Sequence, residues 1–266
     1  MENHLDLMFQ KLEKDKKTAV IPFLPAGWPE LDSTTKIVDG AVRSGANAVE
    51  LGWAFSDPLG DGPVNQVAYD RAIRNGSNGL STLQNASEIR SKHSHLPIIV
   101  MGYANPLLSY GVEKWASDAK AAGVDGLICV DLPPQEAIEI SSVLKKSNIH
   151  PIFLLAPTST DERIELIASY GTGMIYCVSV VGITGVRRTL SSELPKFIKR
   201  VKEKTNVPLA VGFGISDADH VASVGNIAEA AVVGSAFVGA ISSAQDKDYE
   251  AAAEKFIAAL VNGGQS

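Results

Sequence analysis

Eight short apolar runs alternate with longer helical patterns from one end of the chain to the other. The runs are apolar on both faces, which is typical of parallel strands covered by helices. Strands are predicted at Ala19–Leu24, Ala48–Leu51, Pro97–Met101, Gly126–Val130, Pro151–Leu155, Met174–Ser179, Pro208–Val211 and Ala230–Val233. Eight strand–helix units in one chain predict an α/β fold of the (β/α)8 TIM barrel type.

The helical patterns lie between these strands and continue beyond the last one. They cover residues 33–44, 80–93, 111–122, 134–147, 160–169, 191–204 and 216–224, followed by 235–242 and 249–261. Before the first strand, Leu5, Met8, Phe9 and Leu12 are spaced as on one face of an amphipathic helix. We therefore expect a barrel with an additional N-terminal helix and a short extra helix after strand eight.

A doubly wound sheet is the competing architecture. It is disfavoured because Phe23-Leu24-Pro25-Ala26-Gly27 follows the first strand in place of a dinucleotide-binding glycine turn. No linker, low-complexity segment or charge block divides the 266 residues. A single domain over residues 1–266 is therefore expected.

Charge and cysteine content narrow the class of protein further. A net charge of −6 argues against binding to nucleic acid or to an anionic membrane surface. The charged N-terminus is unlike a signal peptide, and no apolar run is long enough to cross a membrane. Cys129 and Cys177 lie in apolar runs, which favours buried free thiols in a reducing compartment. These features predict a soluble, cytoplasmic protein.

Two acidic residues lie near the end of strand two, where the βα loops of a barrel form the active site. Glu50 is within the strand, and burial of its carboxyl would raise the pKa. It could belong to a structural ion pair, but no Lys or Arg occupies any predicted strand. Asp61 follows in the loop and could be an ordinary Asp-Gly turn. Together the two acids favour acid–base catalysis.

Glycine-rich loops follow the last three strands, at residues 182–185, 212–216 and 234–235. Glycine lets backbone N–H groups approach an anion, and a helix beginning at Gly234-Ser235 would add its positive N-terminal dipole. A phosphorylated small molecule is the predicted ligand. No lysine lies at a strand end, which argues against a Schiff-base aldolase, and the scattered histidines predict no catalytic metal.

Five segments together resemble the tryptophan synthase alpha subunit family over nearly the whole chain. They are Glu50-Leu51-Gly52 with residues 55–63 (FSDPLGDGP), Met101-Gly102-Tyr103-Ala104-Asn105-Pro106, Asp131-Leu132-Pro133, Gly182-Ile183-Thr184-Gly185 and Gly212-Phe213-Gly214-Ile215-Ser216. The resemblance implies a TIM barrel that cleaves indole-3-glycerol phosphate to indole and glyceraldehyde 3-phosphate.

The resemblance also implies roles for individual residues. Glu50 matches the acid–base residue, and Asp61 matches the carboxylate that holds the indole N–H. The implied substrate-binding residues are Phe23, Tyr176, Thr184, Gly185, Phe213, Gly214, Gly234 and Ser235. The resemblance further implies that this chain needs no cofactor of its own. It also implies a beta subunit as partner, which uses pyridoxal phosphate (PLP), in an assembly of two alpha and two beta chains. The loops around Asp57, Pro58, Asn105 and Pro133 would face that partner.

Three positions depart from the family pattern. Trp53-Ala54 stands where a branched aliphatic residue and proline are usual, Asn65 replaces an isoleucine, and Ala228-Glu229-Ala230 replaces Ala-Asp-Gly. The sequence leaves open whether Trp53 enters the indole pocket or turns outward. These changes motivate an alternative function, a weakly active subunit that mainly activates the beta chain. Another phosphate-binding barrel enzyme, such as a phosphoribosyl isomerase, ranks last because strand one ends without a cysteine base.

Overall fold

Nine parallel strands and twelve α-helices form within residues 2–179, 193–212 and 214–263, the ranges described by the computed structural model. The strands are β1 Ala19–Pro25, β2 Val49–Gly52, β3 Ile98–Gly102, β4 Gly126–Cys129, β5 His150–Ile152, β6 Leu154–Leu155, β7 Ile175–Val178, β8 Leu209–Gly212 and β9 Ala230–Val233. The helices are α1 His4–Asp15, α2 Thr34–Arg43, α3 Pro63–Arg74, α4 Gly79–Lys92, α5 Ala104–Tyr110, α6 Val112–Ala121, α7 Ile138–Lys146, α8 Asp161–Tyr170, α9 Leu194–Lys202, α10 Ala218–Gly225, α11 Ser235–Ser242 and α12 Tyr249–Gly263.

The strands follow the order β5-β4-β3-β2-β1-β9-β8-β7-β6. The first strand pairs with the last, with Ala19 opposite Ala230. The two ends of the sheet, β5 and β6, are consecutive in the chain and separated by Phe153 alone. The sheet therefore curls into a nearly closed barrel, and the predicted TIM barrel is confirmed. The predicted fifth strand consists of two short pieces, β5 and β6, so the nine strands occupy eight strand positions around the barrel.

The inside of the barrel is filled by small and aliphatic side chains from alternate strand positions, as the two-residue period of a strand requires. They include Ile21, Ala48, Ile99, Val232 and Ile128, all essentially inaccessible to solvent. Helix α1 adds its apolar face to this same cluster, through Leu5, Met8, Phe9 and Leu12. The N-terminal helix therefore closes the lower end of the barrel, where the strands begin.

Two helices were missed by the sequence analysis, α3 and α5. Helix α3 buries only Ala68, Tyr69 and Ala72, so its apolar periodicity is weak. Helix α5 is seven residues long and contains a proline in its first turn, so it resembles a loop in sequence. The remaining predicted helices are present within a few residues of their predicted bounds, including the extra helix α11 after the last strand.

A buried carboxylate, Asp125, ties the lower end of the barrel together. Its Oδ2 accepts hydrogen bonds from Arg90 Nη2 at 2.7 Å and from the backbone N–H of Ile98 at 2.8 Å. Its Oδ1 lies 2.8 Å from His4 Nδ1. The side chain is therefore bonded to β3, α4 and α1 at once, which satisfies the carboxylate although it is only 4% exposed.

Both cysteines are free thiols, as predicted, but only Cys177 is buried, and Cys129 is partly exposed. The prediction that Cys129 is buried, which was based on its apolar run, is wrong. Cys129 is the last residue of β4, where the strand reaches the upper surface of the barrel. Among the described helices, none is long and apolar enough to span a membrane.

Candidate active site

A pocket opens at the upper end of the barrel, where the strands end. It contains about 500 Å³ of space free of protein atoms, part of which is open to solvent. Its lining includes Phe23, Glu50, Asp61, Gly62, Asn65, Met101, Tyr176, Gly214, Ile215, Gly234 and Ser235. Seven of the sequence-predicted site residues therefore meet in one cavity.

Glu50 lies on β2 and points into the barrel, opposite Phe23 of β1 and Ile99 of β3. It is 1% exposed, and its Oε2 has no hydrogen-bond partner within the described ranges. The structural ion pair considered from the sequence is absent there, since no described ion pair includes Glu50. Burial, reinforced by the nearby charge of Asp61, raises the pKa of Glu50 to about 8. A carboxyl that keeps its proton at neutral pH can act as a general acid.

Asp61 is also buried, but its carboxylate is held by two donors. Tyr103 donates its hydroxyl proton to Oδ2 at 2.6 Å, and Asn65 Nδ2 donates to Oδ1 at 3.2 Å. The side chain of Gln66 binds the backbone oxygen of Asp61 at 2.8 Å. The Asp-Gly loop is thus fixed by specific contacts and aims a carboxylate at the pocket.

The pKa of Asp61 is raised, chiefly by burial, while the hydrogen bonds from Tyr103 and Asn65 oppose the rise. The Oε2 atom of Glu50 has no such donor among the described residues, and burial and the like charge of Asp61 both raise the pKa of Glu50. The two acids therefore differ in environment, because hydrogen-bond donors favour the ionised form of Asp61, whereas pKa-lowering donors are not among the causes acting on Glu50 within the described residues.

Aromatic rings form the wall of the pocket. Phe23 is 2% exposed and meets the ring of Tyr69 edge-on, with the centroids 6.2 Å apart. Tyr176 projects from β7 and is 6% exposed. A Cβ at Gly212 of the next strand would overlap the Tyr176 hydroxyl, so this glycine makes room for the tyrosine ring. Flat rings on opposite sides of a cavity suit a planar aromatic ligand.

The other side of the pocket presents backbone in place of large side chains. Gly214 has φ +86°, a conformation that glycine adopts without strain. Helix α11 begins at Ser235 with Gly234 as its N-cap, and both residues line the pocket. The free N–H groups and the positive end of the α11 dipole therefore face the cavity and suit an anion.

Three predicted site residues, Thr184, Gly185 and Phe213, lie outside the described residues. Their predicted roles as substrate-binding residues stay predictions.

Trp53 is buried but lies outside the pocket lining. Its ring stacks on Trp115 with centroids 6.3 Å apart and an interplanar angle of 7°, and meets Tyr110 edge-on at 6.0 Å. A Cβ at Gly79 would lie 2.5 Å from Trp53 Cζ2, so the first residue of α4 must be small. Trp53 therefore turns outward and packs between the barrel and its helices.

No role was predicted from the sequence for Tyr103, and Asn65 was predicted only to depart from the family pattern. The signal for Tyr103 was its position directly after strand three, at the functional end of the barrel. The signal for Asn65 was a polar residue close behind Asp61.

Among the described residues, no group of three His, Cys, Asp or Glu side chains could hold a metal ion.

Four exposed apolar side chains lie on segments that follow β2, β3 and β4. They are Leu59, Val67, Leu108 and Ile138, which are 87%, 71%, 58% and 48% exposed. We call these four residues the apolar rim. Because the segments that carry them follow three neighbouring strands, these side chains are candidates for a protein-binding surface at the upper end of the barrel.

Comparison with known proteins places these features in one family. The family model for the tryptophan synthase alpha chain matches residues 9–262. A tryptophan synthase alpha chain from Roseiflexus sp. (strain RS-1) is 43% identical over 252 residues, which are 95% of this chain and 97% of that relative. One from Acinetobacter baumannii is 44% identical over 236 residues, 89% of this chain and 88% of the relative.

Solved structures agree with these sequence relatives. The tryptophan synthase subunit alpha from Legionella pneumophila superposes with a TM-score of 0.91 at 32% identity, covering 99% of both chains. A tryptophan synthase chain from Mycobacterium tuberculosis gives a TM-score of 0.91 at 31% identity, covering 100% of both chains.

Proposed function

Because the chain belongs to the tryptophan synthase alpha chain family, we propose that Glu50 and Asp61 divide the work of its reaction. The enzyme is a carbon–carbon lyase that cleaves indole-3-glycerol phosphate to indole and glyceraldehyde 3-phosphate. The observation that carries the assignment is the contrast between two buried acids in one cavity. Glu50 has a pKa of about 8 and an Oε2 with no hydrogen-bond partner among the described residues, whereas Asp61 is held by two donors.

Glu50 supplies and recovers one proton. The neutral carboxyl protonates C3 of the indole, which makes the ring an iminium-like electron acceptor. The bond between C3 and the glycerol carbon then breaks, and its electron pair returns to the ring. The hydroxyl on that glycerol carbon becomes a carbonyl and gives its proton to the Glu50 carboxylate. The residue ends the cycle protonated, as it began.

Asp61 stabilises the cationic ring. Its carboxylate accepts a hydrogen bond from the indole N–H and lies near the positive charge that develops when C3 is protonated. Tyr103 fixes the carboxylate and favours its ionised form, because a hydrogen-bond donor stabilises the negative charge. Electrostatic stabilisation of this kind in a water-poor site is a large contribution to catalysis.

The rest of the pocket orients the substrate. Phe23 and Tyr176 bound the indole ring, and the phosphate binds at the backbone of Gly214, Gly234 and Ser235. Phe213, Thr184 and Gly185 complete the ring and phosphate contacts in this proposal. The chain itself uses no cofactor in this family, in which PLP belongs to the beta subunit.

Members of this family work with a beta subunit. We propose that the apolar rim is part of the surface that binds it, in an assembly of two alpha and two beta chains. Asp57, Asn105 and Pro133 lie beside the rim residues and are at least partly exposed, while Pro58 is buried beneath the exposed Leu59. The rim residues follow three neighbouring strands at the end of the barrel where the pocket opens, which supports transfer of indole towards the partner.

Two further expectations from the sequence stay proposals: a cytoplasmic location and a single domain over residues 1–266. The alternative of a weakly active subunit that mainly activates the beta chain is not favoured. Trp53, one of the residues that motivated it, lies outside the cavity.

The deciding experiment measures indole release from indole-3-glycerol phosphate, with and without a beta subunit. Glu50→Gln removes the transferable proton and should lower kcat by a factor of about 10² to 10⁴. Asp61→Asn should lower kcat by a comparable factor because it removes the charge that stabilises the ring. Glu113→Gln on the exposed face of α6 is the matched control and should leave kcat unchanged. Near-normal turnover in either active-site variant would refute the assignment.

A further inference from the structure

Asn65 occupies the first turn of α3 and lines the pocket between the two acids and the start of α11. Its amide orientation follows from its contact with Asp61. The NH2 group donates to Asp61 Oδ1 at 3.2 Å, and the reversed amide would place two oxygens against each other. The carbonyl oxygen of Asn65 must therefore point elsewhere.

That oxygen, Oδ1, is buried and has no hydrogen-bond partner in the described part of the chain. A buried carbonyl without a donor is unfavourable, and in native proteins such an atom is normally paired with a donor from the protein, from water or from a ligand. The donor that fits is a hydroxyl or an N–H of a ligand in the same cavity.

The position of Asn65 selects which part of the substrate supplies the donor. Asp61 marks the indole end of the proposed binding mode, and Gly234 marks the phosphate end. A Cβ built on Gly234 would lie 3.8 Å from Asn65 Nδ2 and 3.7 Å from Phe23 Cδ1. The amide thus lies between the two ends, level with the part of the substrate that joins ring to phosphate, which is a glycerol chain with two hydroxyl groups.

We propose that Asn65 is a positioning residue whose Oδ1 accepts a hydrogen bond from a glycerol hydroxyl of the substrate while its NH2 group holds Asp61. This rests on the function proposed above. The resemblance places an isoleucine at this position in the family, and a side chain of that kind can make neither bond. Asn65 therefore gives this enzyme a polar contact that distinguishes the hydroxyl-bearing substrate from an analogue without hydroxyls.

The test compares two ligands that differ only in those hydroxyls, indole-3-glycerol phosphate and indole-3-propanol phosphate. Dissociation constants are measured by calorimetry in the full chain carrying Glu50→Gln, so that the substrate is not consumed. Adding Asn65→Leu, which has a similar shape and no polar atoms, should weaken binding of the glycerol ligand about tenfold, as expected for one lost hydrogen bond. Binding of the propanol ligand should stay the same or become tighter.

Gln66→Leu is the matched control, because Gln66 is the neighbouring amide, also bonds to Asp61, and lies outside the pocket lining. It should change the affinities for the two ligands by the same factor. If Asn65→Leu also changes both by the same factor, or changes neither, the proposed hydroxyl contact is wrong. Failure of the proposed function is recognised separately, because the Glu50→Gln chain would then still release indole.

Discussion

Asp125 and Glu50 are both buried carboxyl groups of the barrel, one at the lower end and one at the upper end. Asp125 is 4% exposed and bonded to Arg90, His4 and the backbone of Ile98. Glu50 is 1% exposed, and its Oε2 has no partner in the described chain. Similar burial therefore has different outcomes, since the fully bonded carboxylate of Asp125 joins elements of the fold, whereas Glu50, with an unpartnered oxygen, has a raised pKa and can hold a proton.

The difference follows from where each residue lies. The lower end of a TIM barrel can be optimised for stability because no substrate enters there, whereas the upper end has to leave groups available to react. Asn65 follows the same rule as Glu50, with one polar atom bonded and one left for a ligand. Within the pocket lining, the unsatisfied atoms of Glu50 and Asn65 therefore point to function more directly than burial alone does.

The largest effect on folding stability is expected at the lower end of the barrel. Asp125→Ala should lower the free energy of unfolding by about 3–5 kcal/mol, because it removes a buried carboxylate and leaves the half-buried Arg90 without its charged partner. The kcat of the remaining folded enzyme should be unchanged. Urea unfolding with a parallel indole-release assay measures both quantities.

Asp70→Ala, which breaks the exposed pair with Arg74, is the control and should cost about 1 kcal/mol or less. A loss of kcat in Asp125→Ala like that of Glu50→Gln would contradict the division between the two ends.

Trp53 tests whether every unusual residue near the upper end is functional. Replacing Trp53 by Val and Ala54 by Pro should lower the free energy of unfolding by about 3 kcal/mol, because the stack on Trp115 is lost and a cavity remains. The kcat/KM should stay within a factor of about two, since Trp53 lies outside the cavity. Steady-state kinetics and urea unfolding measure the two effects.

A double-mutant cycle makes the Trp53 result specific. Gly79→Ala alone should destabilise the chain, because the new Cβ meets the Trp53 ring, but should cost little once Trp53 is Val. Equal costs in the two backgrounds would show that Trp53 and Gly79 are not coupled. A large fall in kcat/KM in the Trp53 variant would place that residue in the active site after all.

The raised pKa of Glu50 gives stability an unusual pH dependence. The folded chain keeps the Glu50 proton up to about pH 8, whereas the unfolded chain loses it near 4.5, the ordinary pKa of a glutamic acid side chain. Between these values the folded state binds more protons, so Glu50 lowers folding stability as pH rises, by about 1.4 kcal/mol per pH unit. Glu50→Gln removes this contribution.

Unfolding of the two proteins at acidic and at neutral pH checks that slope. The Gln variant should gain stability relative to the unmodified protein as pH rises, by on the order of 3 kcal/mol between about pH 5.5 and about pH 7.5. A constant difference between the two proteins would show that Glu50 ionises normally in the folded chain.

The smallest expected effect comes from Tyr103, which sharpens the contrast between the two acids in the pocket. Tyr103→Phe keeps the ring against Phe55 and removes the donor to Asp61 Oδ2. The pKa of Asp61 should rise further, so the acidic limb of the kcat/KM profile should move to higher pH, with about a tenfold loss of kcat/KM at neutral pH. Tyr110→Phe, outside the pocket, should leave the profile unchanged. An unshifted limb in Tyr103→Phe would mean that Asp61 does not set it.

The strands could be predicted well from the sequence because each strand of the barrel is a compact apolar run buried on both faces. Glu50 was identifiable for the same reason, since one acid interrupts such a run. Helix α3 could not be predicted, because it buries only Ala68, Tyr69 and Ala72 and keeps Val64 and Val67 exposed. Its local pattern is weak, and tertiary packing decides its structure.

The contacts of Asp61 also required the structure. Tyr103 follows a different strand and meets Asp61 across 42 residues of sequence, a separation that no local pattern encodes. Asn65 was visible as an unusual residue, but the bond that orients its amide depends on how α3 follows the loop. The direction of Trp53 likewise depended on Trp115 and Gly79, which lie on two other helices.

Helix α1 has a consequence for the route that molecules take through the enzyme. Its apolar face joins the side chains that fill the barrel, so the space beneath the pocket is packed and closed from below. A molecule released beside Glu50 therefore leaves the pocket at the upper end of the barrel, the end that carries the apolar rim. The helix that precedes the barrel in sequence thus leaves the upper end as the side on which substrate enters and product leaves, and a partner bound at that end would receive what the pocket releases.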